Sequence, residues 1–281
     1  MSAVPLPVAT LAAVSHLAPS LVAPFFRRMM LKPRRHLRPP PPLLELPAAD
    51  ERLGLGDGLV AWRWGEGPPV LLVHGFEGHR AQFAAILAAL RQRGLAAVAL
   101  DVPAHGESAG EELTAVKFIA AIDRALAALG PLPAVVGHSM GGAMSLYALA
   151  RRGGAGRAVL IAAPSSLKRE LQRFATAVGL SPRGARAFIA SVERHVGQPA
   201  ADFDVRHLVG RIDLPLLLIH DQDDRRVPVV EAARAAHALP DAELMITRGL
   251  GHNRLLGDPV VVRAVVDFVA AQETMGSERT V

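Results

Sequence analysis

The sequence of 281 residues contains no cysteine. Disulfide frameworks, thiolate metal sites and a cysteine nucleophile are therefore excluded. A chain without disulfides fits a reducing compartment, so the expected location is the cytoplasm. Aromatic residues are scarce, at 4% of the chain. No aromatic platform is interleaved with the basic residues and no RNA or DNA motif occurs. The net charge of +5 and the pI near 10.5 therefore read as an arginine-rich surface, with no nucleic-acid partner expected. Long unbroken apolar runs are also missing. The apolar stretch 8–26 contains Pro19 and Pro24, so a membrane-spanning helix is not expected, and no basic segment precedes it as a secretory signal would require. There is no His-x-x-x-His pair and no carboxylate cluster at ligand spacing, so neither a metal nor a cofactor is expected.

What is present is a globular composition, 51% hydrophobic and 20% charged, long enough for one large α/β domain. Residues 1–45 read as an arm. The apolar stretch runs into Arg27, Arg28, Lys32, Arg34, Arg35 and Arg38, and then into the extended run Pro39–Pro42. The preferred reading is an arm packed on the domain ahead of a solvated basic linker. Contact with an anionic membrane surface is the alternative.

From residue 46 to 281 strands alternate with helices. Strands are expected at 60–64, 70–73, 95–100, 134–136, 159–161, 216–219 and 242–246, and helices at 82–91, 113–129, 143–151, 229–239 and 259–271. This rhythm predicts an α/β fold with a mostly parallel central sheet and helices on both faces. The interval 165–208 holds no strand pattern and reads as two or three helices, with Leu167, Leu171, Phe174, Phe188, Ile189 and Val192 as apolar positions. An insertion after a strand's carboxyl end lies over the ligand side of such a sheet, so a small helical lid is expected there. Its cations Lys168, Arg169, Arg173, Arg183 and Arg186 read as a solvated helix face or as contacts for an anionic substrate.

The strand expected at 134–136 runs directly into Gly137-His138-Ser139-Met140-Gly141, a Gly-x-Ser-x-Gly motif between an apolar strand and a helix. Such a turn lifts a serine hydroxyl above the sheet, and the glycines leave room for the strained backbone. With this motif the chain resembles the α/β-hydrolase family over roughly residues 60–272. The resemblance extends to His74-Gly75-Phe76, which implies an oxyanion hole formed by the Phe76 and Met140 amides. It also extends to Asp101-Val102-Pro103-Ala104-His105-Gly106-Glu107-Ser108, where Ala104 stands in place of the family's first glycine. His74 and His105 are expected to shape these loops. The family's histidine position falls on His252 in Gly249-Leu250-Gly251-His252-Asn253. The acid falls in the loop 220–228, where Val227-Pro228 sets a register that favours Asp224 over its rivals Asp223 and Asp221.

The resemblance implies a serine hydrolase with Ser139 as nucleophile, His252 as base and Asp224 as the acid that orients it, acting on a small-molecule carboxylic ester or thioester through an acyl-enzyme. Serine at the elbow argues against the aspartate-dependent dehalogenase and epoxide-hydrolase branches. A membrane-associated lipid hydrolase and a non-catalytic binding member of the fold are the alternatives.

Overall fold

The computed structural model describes residues 8–34 and 45–271; the run Pro39–Pro42 and the basic residues Arg35 and Arg38 lie outside them. In chain order the elements are α1 (Val8–Leu17), α2 (Pro19–Leu31), β1 (Glu51–Gly54), β2 (Val60–Trp64), β3 (Pro69–Val73), α3 (Ala84–Gln92), β4 (Ala96–Asp101), α4 (Ala115–Leu129), β5 (Leu132–His138), α5 (Met140–Arg152), β6 (Ala155–Ile161), α6 (Leu167–Ala177), α7 (Pro182–Val196), β7 (Leu216–Asp221), α8 (Val230–Ala238), β8 (Glu243–Thr247), α9 (Gly251–Arg254) and α10 (Pro259–Ala270).

Side chains on a strand point alternately to the two faces of a sheet, and here both faces are apolar. Leu71, Val73, Val98, Leu100 and Val135 pack with α4 and α5 on one face. Val70, Leu72, Ala97, Ala99 and Val136 pack with α3 and α10 on the other. The eight strands run in the order β1-β2-β4-β3-β5-β6-β7-β8. The β1–β2 and β2–β4 pairs are antiparallel and the remaining pairs are parallel. This is the expected α/β class with helices on both faces.

Several local expectations differ from the structure. The Gly-x-Ser-x-Gly helix begins at Met140 rather than at residue 143, immediately after the serine. The helix expected from 113 begins at Ala115, because Thr114 is its N-cap and accepts a hydrogen bond from the Lys117 amide. Strand β1 lies where no strand was read. Its Glu-Arg-Leu-Gly sequence lacks apolar alternation, and it is ordered by pairing with β2.

Helices α6 and α7 follow β6. They form a third apolar cluster in which Phe26 of α2 packs with Leu171, Ala175, Phe188 and Val192. Ser15 of α1 accepts a hydrogen bond from the Ser181 amide at 2.9 Å. The helical arm thus lies on α7, and the Leu113 amide donates to Leu31 O at 2.8 Å to tie it to the body. Pro19 occupies the first turn of α2, where no amide is needed, whereas Pro24 sits in the helix interior at an exposed position. Neither is a spanning helix: among the described residues no helix is long and apolar enough to cross a membrane.

Two of the insert's cations are neither on a solvated face nor directed at a ligand. Arg169 and Arg173 turn inward to Glu231 of α8, a fully buried carboxylate that also accepts from Ser165 Oγ and from Arg234. Lys168, Arg183 and Arg186 are exposed.

Candidate active site

Strand β5 and helix α5 meet at Ser139, whose backbone has φ 54° and ψ −128°. A non-glycine residue rarely adopts this conformation and holds it only when its surroundings enforce it. The surroundings do so by contact. A Cβ at Gly137 would lie 2.4 Å from Gly142 Cα, and one at Gly141 would lie 2.2 Å from Val73 O. Ser139 occupies the N-cap of α5, yet its side chain makes no capping bond. The strained turn instead leaves the hydroxyl facing the loop after β3. A Cβ at Gly75 would be 2.8 Å from Ser139 Cβ and 3.3 Å from Ser139 Oγ. The Met140 amide opens α5 and, as a first-turn amide, has no acceptor within the helix. Phe76 follows Gly75 in the same loop.

The loop after β7 carries three aspartates, and the structure separates them. Asp224 is buried. Its Oδ2 accepts from His252 Nδ1 at 2.7 Å, and its Oδ1 accepts from the Arg226 and Val227 amides at 2.8 and 3.0 Å. His220 Nε2 lies 3.4 Å from Oδ2 on the other side. Burial by itself would raise the Asp224 carboxyl, but the hydrogen bonds from His220 and His252 and the charge of His252 outweigh it and hold the group well below the usual carboxylate range. Asp221 does different work. Its carboxylate accepts from the Asp223, Leu250 and Gly251 amides and from Thr247 Oγ1. Exposed Asp223 accepts only from the Gly249 amide in the hydrogen bonds of its carboxylate seen among the described residues. Asp221 and Asp223 thus brace the turn that presents His252, and Asp224 is the carboxylate that meets its ring.

His252 rides on the single turn of α9, and its side chain is 7% exposed. His138, the residue before the serine, supports it from beneath. The two rings stand 4.8 Å apart, and His138 Nε2 donates to the His252 carbonyl at 2.9 Å. Burial, followed by repulsion from the His252 ring, pushes His138 down to about 3, so it is neutral. Sequence reasoning missed both His138 and Asp221 as supports, because their partners lie 114 and 26 to 30 residues away.

The two loop histidines also fix backbone. His74 is fully buried; its Nδ1 donates to Gly75 O at 2.8 Å and its Nε2 accepts from the Val102 amide. Burial, with His105 next, pushes it down to about 3. His105 Nε2 accepts from the Glu77 amide at 2.9 Å, holding the residue after Phe76. The loop after β4 is anchored by Asp101, which accepts from Trp62 Nε1, Arg80 Nη1 and the Glu107 amide. Ala104, at the family's glycine position, takes φ 65°, so the alanine keeps a left-handed backbone.

A narrow apolar cavity opens beside Phe76 and Met140, walled by Leu113 and Phe118 of the body, Leu171 and Val192 of the insert and Met30 and Leu31 of the arm. A second lies between α5 and α8 and shares Met140, Leu167 and Phe203 with the first.

Known proteins share the fold. The profile described as alpha/beta hydrolase fold matches residues 68–213, and one described as TAP-like protein matches residues 194–279. The chain is 28% identical over 248 residues to a pimeloyl-[acyl-carrier protein] methyl ester esterase of Xanthomonas campestris pv. campestris, covering 74% of this chain and 97% of the relative. Among solved structures, the thioesterase domain from the curacin biosynthetic pathway superposes with a TM-score of 0.59 at 19% identity, over 80% of this chain and 100% of that one. The monoacylglycerol lipase of Paleococcus ferrophilus does so at 0.58 and 21% identity, over 75% and 98%. At these identities the superpositions speak for the fold, and together with the profile match over residues 68–213 they lead to one statement: the chain belongs to the α/β hydrolase fold family.

Proposed function

We propose that the protein hydrolyses a carboxylic ester or thioester through an acyl-enzyme on Ser139. The observation that carries this reading is the 2.7 Å bond from His252 Nδ1 to Asp224 Oδ2, on a histidine whose ring stands 4.8 Å from that of His138, the residue before Ser139. Asp224 holds the imidazole so that Nε2 is the free base. Ser139 Oγ attacks the substrate carbonyl while His252 takes its proton. The tetrahedral oxygen carries the negative charge and is met by the Phe76 and Met140 amides, each worth about 3 kcal/mol. His252 then returns the proton to the departing alcohol or thiol. Water, activated by the same histidine, attacks the acyl-enzyme and releases the acid. This chemistry requires no metal or cofactor.

The apolar cavity beside Phe76 and Met140 supports an apolar acyl group, and helices α6 and α7, with the arm, act as its lid. The similarity to a pimeloyl-[acyl-carrier protein] methyl ester esterase supports an ester in preference to an amide. A chain without cysteine fits work in the cytoplasm.

A panel of 4-nitrophenyl esters and matched acyl thioesters tests the reading. kcat/KM should rise from acetyl to hexanoyl as the chain fills the cavity, by about three-fold per added methylene where the fit is good. Ser139→Ala should lose at least about 1,000-fold. Hydrolysis retained in Ser139→Ala contradicts the proposal, and no preference among acyl lengths removes the cavity from it.

A further inference from the structure

The outward face of the arm is unlike the rest of the surface. Leu17 and Leu21 are each 78% exposed and Phe25 is 64% exposed, with Met29 and Val14 also open to solvent. Leu21, Phe25 and Met29 follow one another at four-residue spacing and so share one side of α2, with Leu17 of α1 continuing the stripe. The opposite side of α2, through Ala23 and Phe26, is already buried against the insert. A helix that is apolar on its solvent side as well as its packed side has an unfilled contact to make.

Cations border the stripe. An open basin beside Phe25 is lined by Arg27, Arg28, Lys32, Lys117 and His195, together with Glu111 and Glu112. Lys32 pairs with Glu111, and Lys117 and His195 with Glu112. No ion pair among the described residues engages Arg27 or Arg28. Exposed apolar side chains bordered by uncompensated arginines match the acyl and phosphate layers of an anionic bilayer. A second copy of this chain fits worse, because a two-fold contact through the stripe would bring the basins of both copies together.

The same helix reaches the candidate active site. Met30 and Leu31 wall the apolar cavity, Leu31 lines both cavity and basin, and Arg34 clamps Glu77, next to Phe76, through bonds of 2.7 and 2.9 Å. We infer that the outward face of α1 and α2 is an interfacial docking surface for an anionic phospholipid bilayer, seated so that the cavity opens beside the lipid. The arm is packed on the domain and membrane-facing at once, on its two opposite sides.

Sedimentation of the full chain with vesicles of phosphatidylcholine alone, or with a third of phosphatidylglycerol, tests this. Wild type should pellet with the anionic vesicles and be released by high salt. Leu21→Ser/Phe25→Ser should reduce the partition coefficient at least ten-fold, and Arg27→Gln/Arg28→Gln by about five-fold per charge. All should keep wild-type melting and wild-type turnover of a soluble short ester. Ser139→Ala should pellet like wild type, so the outcome is separate from the hydrolase reading. Wild type that stays in solution with anionic vesicles, or variants that pellet equally, overturns the inference. A dimer that Leu21→Ser/Phe25→Ser dissolves, without vesicle binding by wild type, also overturns it and assigns the stripe to a second copy.

Discussion

Asp221, Asp223 and Asp224 share one loop, and their hydrogen bonds give each a different consequence on substitution. Asp224→Asn removes the charge that orients His252 and stabilises it when protonated. It should lower kcat about 1,000- to 10,000-fold. Asp223 is exposed, so Asp223→Asn should stay within about three-fold of wild type. Asp221→Ala leaves the Leu250 and Gly251 amides without their acceptor. It should cost about 2–3 kcal/mol in urea denaturation and reduce kcat as well, because the turn bearing His252 loosens. The separation of these roles was only partly legible in the sequence. Val227-Pro228 set a register that singled out Asp224, and it is the carboxylate that meets His252. Nothing local announces that Asp221 grips the turn after β8. His138 was hidden for the same reason: as the variable residue of a motif it carries no signal, and its bond to the His252 carbonyl exists only once the chain has folded.

At the level of elements, helix α6 is fastened to α8 by a buried ionic cluster. Burial works against the Glu231 carboxylate, but hydrogen bonds from Arg169 and Ser165 and the charges of Arg169 and Arg173 hold it at about 2, against 4.5 for an ordinary glutamate. A carboxyl held lower in the folded state than in the unfolded one stabilises the fold above its unfolded value. That stabilisation is lost as pH falls from about 4.5 towards 2. Urea denaturation of wild type should therefore weaken across this window, and Glu231→Gln should flatten the dependence while costing about 3 kcal/mol near neutrality, because Arg169, Arg173 and Arg234 lose their buried counter-charge. Equal pH slopes in the two proteins would remove Glu231 from this account. The sequence showed that α6 carries arginines but could not show them turning inward, since their counter-charge comes from a helix some 60 residues later. The central strands and their helices, by contrast, were readable from short apolar runs and 3.6-residue spacing alone. Strand β1 was not, because pairing with β2 and not its own pattern makes it a strand.

For the whole molecule, the doubly covered sheet puts the ends of β3, β5, β7 and β8 along one edge, and each carries one part of the proposed site: the Phe76 loop, Ser139, Asp224 and His252. In the proposed mechanism the base must be unprotonated to take the Ser139 proton. kcat/KM for a short ester should therefore fall on acidification, by about ten-fold per pH unit once the base is mostly protonated. A profile flat from about pH 5 to 8 would speak against a histidine base. The most direct measurement is covalent labelling with a fluorophosphonate probe, followed by mapping of the modified peptide, for wild type, Ser139→Ala and His252→Ala. The account predicts one adduct, on Ser139, absent from Ser139→Ala and slowed at least about 1,000-fold in His252→Ala. A folded wild type that does not label, or an adduct on any other residue, would contradict it.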